Sequence, residues 1–184
     1  MLEEGLTLQR IEQDKMRNIR NPFVDEEDNH CFGCSPTNPY GLHLKFKETD
    51  DAITAEWLFT ENYCGYHDIL HGGIQACLMD EIASWYVFVK LKTGGVTASM
   101  KFRYLQPVSG IGSNIHLEAR LIEQKHHLAF IEVTLSKEDT GVCTRAMIIY
   151  YLFPEKIARE KFKLPHPTAF YYSKEEAGKE DGVW

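Results

Sequence analysis

The sequence has no long hydrophobic run. Its longest uninterrupted apolar stretch, 146–153, has only the length of a β-strand, whereas a helix that crosses a bilayer needs about 20 apolar residues. The first 20 residues are rich in charge and lack the apolar centre of a secretory signal peptide. We therefore expect a cytoplasmic protein with no membrane association.

The sequence also lacks an excess of basic charge. It contains 20 basic and 27 acidic residues, which give a formal net charge of −7. Proteins that bind nucleic acids carry basic patches that neutralise phosphates, so this balance argues against a nucleic-acid partner. A small anionic ligand would need a local group of basic side chains, which the net charge does not reveal.

Cysteines are few and odd in number, at five in 184 residues. A domain of this size can bury a sufficient core without disulfides, so we expect reduced thiols. Cys31 and Cys34 have the spacing of a metal half-site or a redox pair, but zinc would need two further ligands, and His30 or His43 would have to supply them. We interpret this segment as a structural turn and expect neither a metal nor a cofactor.

Hydrophobic periodicity predicts one domain between two extensions. Residues 1–30 are interpreted as an N-terminal extension, with a helix to about residue 20 and an acidic linker, and 154–184 as a C-terminal extension that contains a charged helix. Between them, apolar and polar residues alternate with the period of two that is typical of half-buried strands. The predicted strands are 42–47 and 53–59, which form a hairpin, and then 96–104, 115–121, 128–136 and 142–153.

One segment of the predicted domain, 72–89, has a different pattern. It is rich in Ala, Leu and Met, and it is too long for an ordinary strand, so it is predicted to be a helix. Its apolar residues go all the way round the helix, and we therefore expect it to be buried on every side. A helix of that kind needs a sheet wrapped around it, which predicts an α+β fold.

Two carboxylates, Asp80 and Glu81, lie in the middle of this apolar helix. Buried carboxylates are costly unless they are paired or functional. One interpretation is a structural role, in which they point out of an open sheet edge or pair with Lys101, Arg103 or Arg120. The other is a catalytic role.

The helix is preceded by a loop that ends in His71, Gly72 and Gly73. Free backbone N–H groups at a helix start, together with the helix dipole, can stabilise a developing oxyanion. Asp80 lies eight residues after Gly72, or about 12 Å along the axis. One helix cannot bring both features to the same atom, so if they act together the site must be shared between two copies of the chain.

Three sequence motifs carry a resemblance to a known family. They are GYHDILHGGIQACLMDE at 65–81, CFGC followed by NPYGL within 31–42, and VTASMKFRYLQPV at 96–108. In these motifs the chain resembles the hotdog-fold acyl-CoA thioesterases, specifically the PaaI-like group of the 4-hydroxybenzoyl-CoA thioesterase superfamily. The resemblance covers about residues 31–152. It implies a hotdog fold, in which an antiparallel sheet wraps one long central helix, at 31–153, and a hydrolase that acts on acyl-CoA as a homodimer or a homotetramer.

The resemblance also implies roles for individual residues. Asp80 matches the helix carboxylate that acts as general base toward water or attacks the thioester as nucleophile. Gly72, with Gly73 nearby, matches the backbone donor to the oxyanion. His71 matches the histidine that orients the loop and the substrate, and Thr97 matches a residue that hydrogen-bonds the water or the carboxylate.

Other positions depart from the family pattern or leave a choice open. Some relatives have an Asn six residues before the histidine, where this chain has Gly65, and Asn62 is the nearest Asn. Thr97 belongs to the polar phase of its strand, so its role needs a bulge or a dimer edge. Glu81, about 100° around the helix from Asp80, is the second candidate for the base. Candidates for binding the substrate are Gly65, Asn62, Lys101 and Arg103.

Two other functions remain open at this point. A hotdog module that binds acyl-CoA or lipid without catalysis would keep the same fold, with the helix carboxylate in a structural role. The hydratase branch of the fold would need a catalytic His paired with an Asp or Glu in a different loop and helix pattern, which the sequence does not contain.

Overall fold

The computed structural model describes residues 16–24, 26–173 and 176. Within these residues the chain forms nine strands, two α-helices and two short 3-10 helices, at Glu61–Tyr63 and Pro167–Phe170. The longer elements follow one another as β1 Arg17–Asn18, β2 Lys45–Glu48, β3 Ala52–Leu58, β4 Cys64–Tyr66, β5 Ile69–Leu70, α1 Gly72–Val89, β6 Gly95–Tyr104, β7 Asn114–Lys125, β8 Leu128–Lys137, β9 Gly141–Leu152 and α2 Glu155–Phe162.

Seven of the strands form one antiparallel sheet in the order β1-β2-β3-β7-β8-β9-β6, and β4 pairs with β5 separately. Helix α1 packs against β3, β6, β7, β8 and β9, so the sheet curves around it. The predicted hairpin, the helix and the strands after it are confirmed. Within the described residues, no helix is long and apolar enough to cross a membrane.

Helix α1 is less enclosed than its sequence predicts. Trp85 is fully buried and stacks on Phe46 at 4.4 Å between ring centroids, but Cys77 is exposed and Ile74 is only partly buried. The expectation of burial on every side is therefore wrong for the first half of the helix. Strand β6 is the last strand of the sheet. No further strand of the described chain covers the side of α1 that carries Cys77.

The two extensions are less separate from the domain than the periodicity suggests. Arg17–Asn18 pair with β2 instead of ending a helix, and Ile19 is buried in the core. A two-residue strand is too short to produce a detectable period. The rest of the predicted N-terminal helix, 1–15, lies outside the described residues. In the C-terminal extension the charged helix is present as α2, and Phe170 packs against Trp85 at 5.9 Å.

Candidate functional site

Asp80 lies on the side of α1 that faces β6 and β9. Its Oδ1 atom accepts one hydrogen bond from Thr97 Oγ1 at 2.8 Å and another from the Tyr150 hydroxyl at 2.9 Å. Between residues 26 and 173 no hydrogen bond reaches Oδ2 of this partly buried side chain. One oxygen of the carboxylate is thus fixed in place, and the other is available to a ligand or a water molecule.

Thr97 reaches Asp80 because of an irregularity in β6. The pairing of β6 with β9 shifts register between Thr97 and Ser99. After the shift Tyr104 faces α1, since its hydroxyl donates to the carbonyl of Gly72 at 3.0 Å. Regular alternation would send positions 97 and 104 to opposite faces, and the bulge brings both to the helix. The bulge therefore explains how Thr97 contacts Asp80 although it belongs to the polar set of alternating residues in its strand.

Tyr150 is a site residue that no sequence motif indicates. It pairs with Thr97 across the two strands, so the two hydroxyls approach Asp80 together. Burial, followed by the charge of Asp80, raises the pKa of Tyr150 above its ordinary value. The phenol therefore stays protonated and donates. In the sequence, Tyr150 is indicated only by its spacing of two residues from Ile148 and Leu152, which are buried on the same face of β9.

The glycine loop, His71 to Gly73, presents backbone N–H groups at the start of α1. His71 caps α1, and its Nδ1 accepts a hydrogen bond from the N–H of Gly73 at 2.9 Å, so the proton of the neutral ring is on Nε2. The N–H of Gly73 is therefore engaged. In the described part of the chain the N–H of Gly72 makes no hydrogen bond, and it is the donor that an incoming oxygen can reach.

Gly65 supports this loop by close packing. A Cβ atom at this position would lie 2.8 Å from Cδ2 of His71, too near for an unperturbed contact. A larger residue here would force His71 to shift away from the position in which it accepts the hydrogen bond from Gly73. Asn62 is exposed on the 3-10 helix before β4.

The structure does not bring Lys101 and Arg103 to Asp80 within one chain. Both are exposed on β6, and they alternate with Tyr104, which faces α1. Strand geometry therefore puts them on the opposite face. Their assignment to substrate binding remains a prediction.

Glu81 lies in surroundings different from those of Asp80. Its Oε1 accepts a hydrogen bond from Trp85 Nε1 at 3.0 Å, and Cys31 Sγ lies 3.5 Å from Oε2. Burial raises the pKa of the Glu81 carboxyl to about 7. The two neighbouring carboxylates therefore face different partners, and only Asp80 contacts the hydroxyl pair.

The Cys31 thiol is polarised by its own turn. The Cys34 thiol and the backbone N–H groups of Cys34 and Gly33 donate toward it, and they lower the pKa of Cys31 to about 5. The pKa of Cys34 is raised, first because its thiol donates to Cys31 and then because it is buried. Neither His30 nor His43 belongs to this cluster of Cys31, Cys34 and Glu81 among the described residues.

Most of the residues that form this site lie in a region that matches a known protein family. Residues 67–144, which include the glycine loop, Asp80 and Thr97, match the family model described as Thioesterase superfamily. The resemblance to the thioesterase superfamily is confirmed. The matched region begins just before β5 and extends through α1 and β6 into β9. It therefore includes Asp80, Thr97 and the glycine loop, and Tyr150 lies beyond it.

A curated protein with a similar sequence is also named as a thioesterase. Acyl-coenzyme A thioesterase 13 from Mus musculus is 29% identical over 92 residues, which are 50% of this chain and 65% of the relative. The chain thus spans just under two thirds of that protein's length.

Solved structures of the superfamily confirm the hotdog fold. Thioesterase superfamily member 2 from zebrafish superposes with a TM-score of 0.55 at 23% identity, over 60% of this chain and 81% of that one. A hypothetical thioesterase from Streptococcus pneumoniae with coenzyme A gives 0.53 at 17% identity, over 58% and 84%.

Proposed function

We propose that this chain is an acyl-CoA thioesterase of the PaaI-like type that acts in the cytoplasm. The observation that carries the proposal is the Asp80 carboxylate, which is fixed through Oδ1 by Thr97 and Tyr150, while none of the described residues hydrogen-bonds to Oδ2. The superfamily match and the acyl-CoA thioesterase relatives support the substrate class.

In the proposed reaction, Oδ2 of Asp80 takes a proton from the water that attacks the thioester carbonyl, or it attacks that carbon itself. The carbonyl oxygen becomes negatively charged, and the N–H of Gly72 with the N-terminal end of the α1 dipole stabilises that charge. Collapse of the tetrahedral intermediate expels coenzyme A as its thiol or thiolate. Where Asp80 is the nucleophile, this leaves an acyl–Asp80 anhydride, which a water molecule then hydrolyses to the free acid and the Asp80 carboxylate. Thr97 and Tyr150 position the carboxylate.

The donor and the carboxylate are brought together by a second copy of the chain. Strand β6 lies at the edge of the sheet, and its side chains are exposed on both faces, with Val96 at 49% and Met100 at 43% exposure. An unpaired edge of this kind is a template for pairing with another strand. We propose a homodimer in which two β6 strands pair antiparallel about a two-fold axis, with a dimer of dimers as the larger assembly.

This pairing has a direct consequence for the site. Within one chain the Thr97 end of β6 contacts Asp80, and the Tyr104 end contacts Gly72. Two-fold antiparallel pairing lays the Thr97 end of one strand beside the Tyr104 end of the other. Each Asp80 then lies near the helix N-terminus of the second copy, which gives two composite sites per dimer.

The proposal is tested by measuring thiol release from acyl-CoAs of different chain length and aromatic character. Steady-state hydrolysis of at least one class is expected. Binding of acyl-CoA in a calorimeter without turnover over hours would instead support a module that binds acyl-CoA and does not hydrolyse it.

Replacing Tyr150 by phenylalanine tests the positioning of Asp80. Loss of one hydrogen bond to a charged acceptor is expected to lower kcat by about 10-fold with little change in KM, because the carboxylate is less well oriented. Tyr151→Phe is the matched control, since Tyr151 is the next residue of β9 and is 44% exposed. Equal kcat in the two variants would contradict a positioning role for Tyr150.

A further inference from the structure

Away from Asp80, three metal-ligating side chains meet at a second location. Cys31 and Cys34 lie in the turn that precedes β2, and Glu81 projects from the middle of α1. Their ligand atoms all lie within 4.8 Å of one another. The Sγ atom of Cys31 is 3.5 Å from Oε2 and 3.6 Å from Oε1 of Glu81.

These separations fit tetrahedral coordination of Zn²⁺. With Zn–S and Zn–O distances of about 2.3 and 2.1 Å, a tetrahedral site places a sulfur and an oxygen ligand about 3.6 Å apart and two sulfurs about 3.8 Å apart. The distances between Cys31 and Glu81 therefore need little adjustment to accept an ion.

The turn is built to approach Glu81 closely. A Cβ atom on Gly33 would lie 2.3 Å from Cδ of Glu81, so only glycine lets the turn come this near. The turn is also tied to the following segment, since the N–H of Leu42 donates to the carbonyl of Phe32 at 2.7 Å and that of Leu44 to Gly33 at 2.9 Å. The two cysteines are thus presented to the helix on a fixed backbone.

The three side chains of the cluster can each carry a negative charge, which a bound cation would neutralise. Cys31, Cys34 and Glu81 are all acids, and between residues 26 and 173 no ion pair includes Glu81. Trp85 donates a neutral N–H to Oε1 of Glu81, which orients the carboxylate in the way that outer hydrogen bonds orient metal ligands.

We propose that Cys31, Cys34 and Glu81 bind one Zn²⁺ ion, with a water molecule as the fourth ligand. Two thiolates and a carboxylate suit Zn²⁺ among the common divalent cations. Binding releases to solvent the protons that the three groups carry, and no electron is transferred. The ion ties the segment around Cys31 to α1 one residue away from Asp80, which makes it a structural clamp beside the proposed active site.

Zinc stoichiometry and affinity test this proposal. After removal of bound metal, the full chain is titrated with Zn²⁺ in competition with a chromophoric chelator. One equivalent per chain is expected for the wild type and for the control variant Cys64→Ser/Cys77→Ser, which also loses two thiols. Affinity is expected to fall by at least about 10-fold in Cys31→Ser/Cys34→Ser and in Glu81→Gln. Equal affinity in the two double-cysteine variants, or no zinc bound at micromolar concentration, overturns the proposal.

A second measurement needs only the wild-type chain, so it does not depend on how well the variants fold. Thiol alkylation is followed by mass spectrometry with and without one equivalent of Zn²⁺. We expect zinc to slow alkylation of Cys31 and Cys34 and to leave Cys77 unchanged. Replacement by Co²⁺ is expected to give the strong visible absorption of tetrahedral thiolate coordination. The absence of both effects would contradict the site. Neither readout depends on thioesterase activity.

Discussion

Replacing Asp80 by asparagine is expected to lower kcat/KM for acyl-CoA hydrolysis by about 10²- to 10⁴-fold, the usual contribution of a general base. Asparagine has nearly the same shape, and its side-chain oxygen can still accept the hydrogen bonds from Thr97 and Tyr150. The variant loses the negative charge and with it the ability to take a proton from water or to attack the thioester. The measurement is the initial rate of thiol release.

The control for this variant is Asp139→Asn, the same chemical change at a side chain that is 73% exposed and far along the chain from α1. It is expected to keep the wild-type rate. Thermal unfolding followed by circular dichroism shows whether the Asp80 variant is folded at the assay temperature. Equal rates in the wild type and in Asp80→Asn would remove Asp80 from the mechanism.

Replacing Gly72 by proline is expected to lower kcat by about 10²- to 10³-fold, the typical effect of losing one oxyanion donor. Gly72 is the first residue of α1, a position where proline is well tolerated. The residue before it, His71, has φ −58° and ψ 131°, which is the conformation that a following proline requires. The substitution therefore removes one N–H group and leaves the helix in place.

Gly72→Ala is the matched control because it adds a side chain but keeps the N–H group. A Cβ atom at this position lies 3.7 Å from the Tyr104 ring, an ordinary van der Waals contact. We expect the alanine variant to hydrolyse acyl-CoA within a few-fold of wild type. If the alanine and proline variants lose activity equally, the space around Gly72 is what matters, and the N–H group is not the oxyanion donor.

Much of the fold could be predicted from the sequence because the helix and the longer strands have distinct patterns of apolar and polar residues. The helix at 72–89 has the predicted bounds, and the strand at 96–104 differs by one residue. The helix is recognisable by its length and its helix-favouring residues, and the strand by its alternation of apolar and polar residues. Strand β1 has two residues, and the pairing that defines it depends on partners about 30 positions later, so no local pattern could reveal it.

The candidate site was predictable only in part. The positions of Asp80 and the glycine loop follow from one helix and its start. The contact between Thr97 and Asp80 depends on a bulge, which shifts the phase of a strand without a distinct local signal. Tyr150 reaches Asp80 across 70 positions of sequence, and Cys31 reaches Glu81 across 50. Contacts of this kind are set by tertiary packing, which spacing in one sequence does not encode.

The most direct test of an active site shared between two copies of the chain is to combine two inactive variants in one dimer. Asp80→Asn and Gly72→Pro are co-expressed in equal amounts with different tags, and thiol release is compared with that of each variant alone. Random pairing makes half of the dimers mixed, and each mixed dimer has one intact site of two, so about a quarter of the wild-type activity is expected. Activity no higher than that of the separate variants, in a sample shown to contain mixed dimers, would contradict a site shared between two copies.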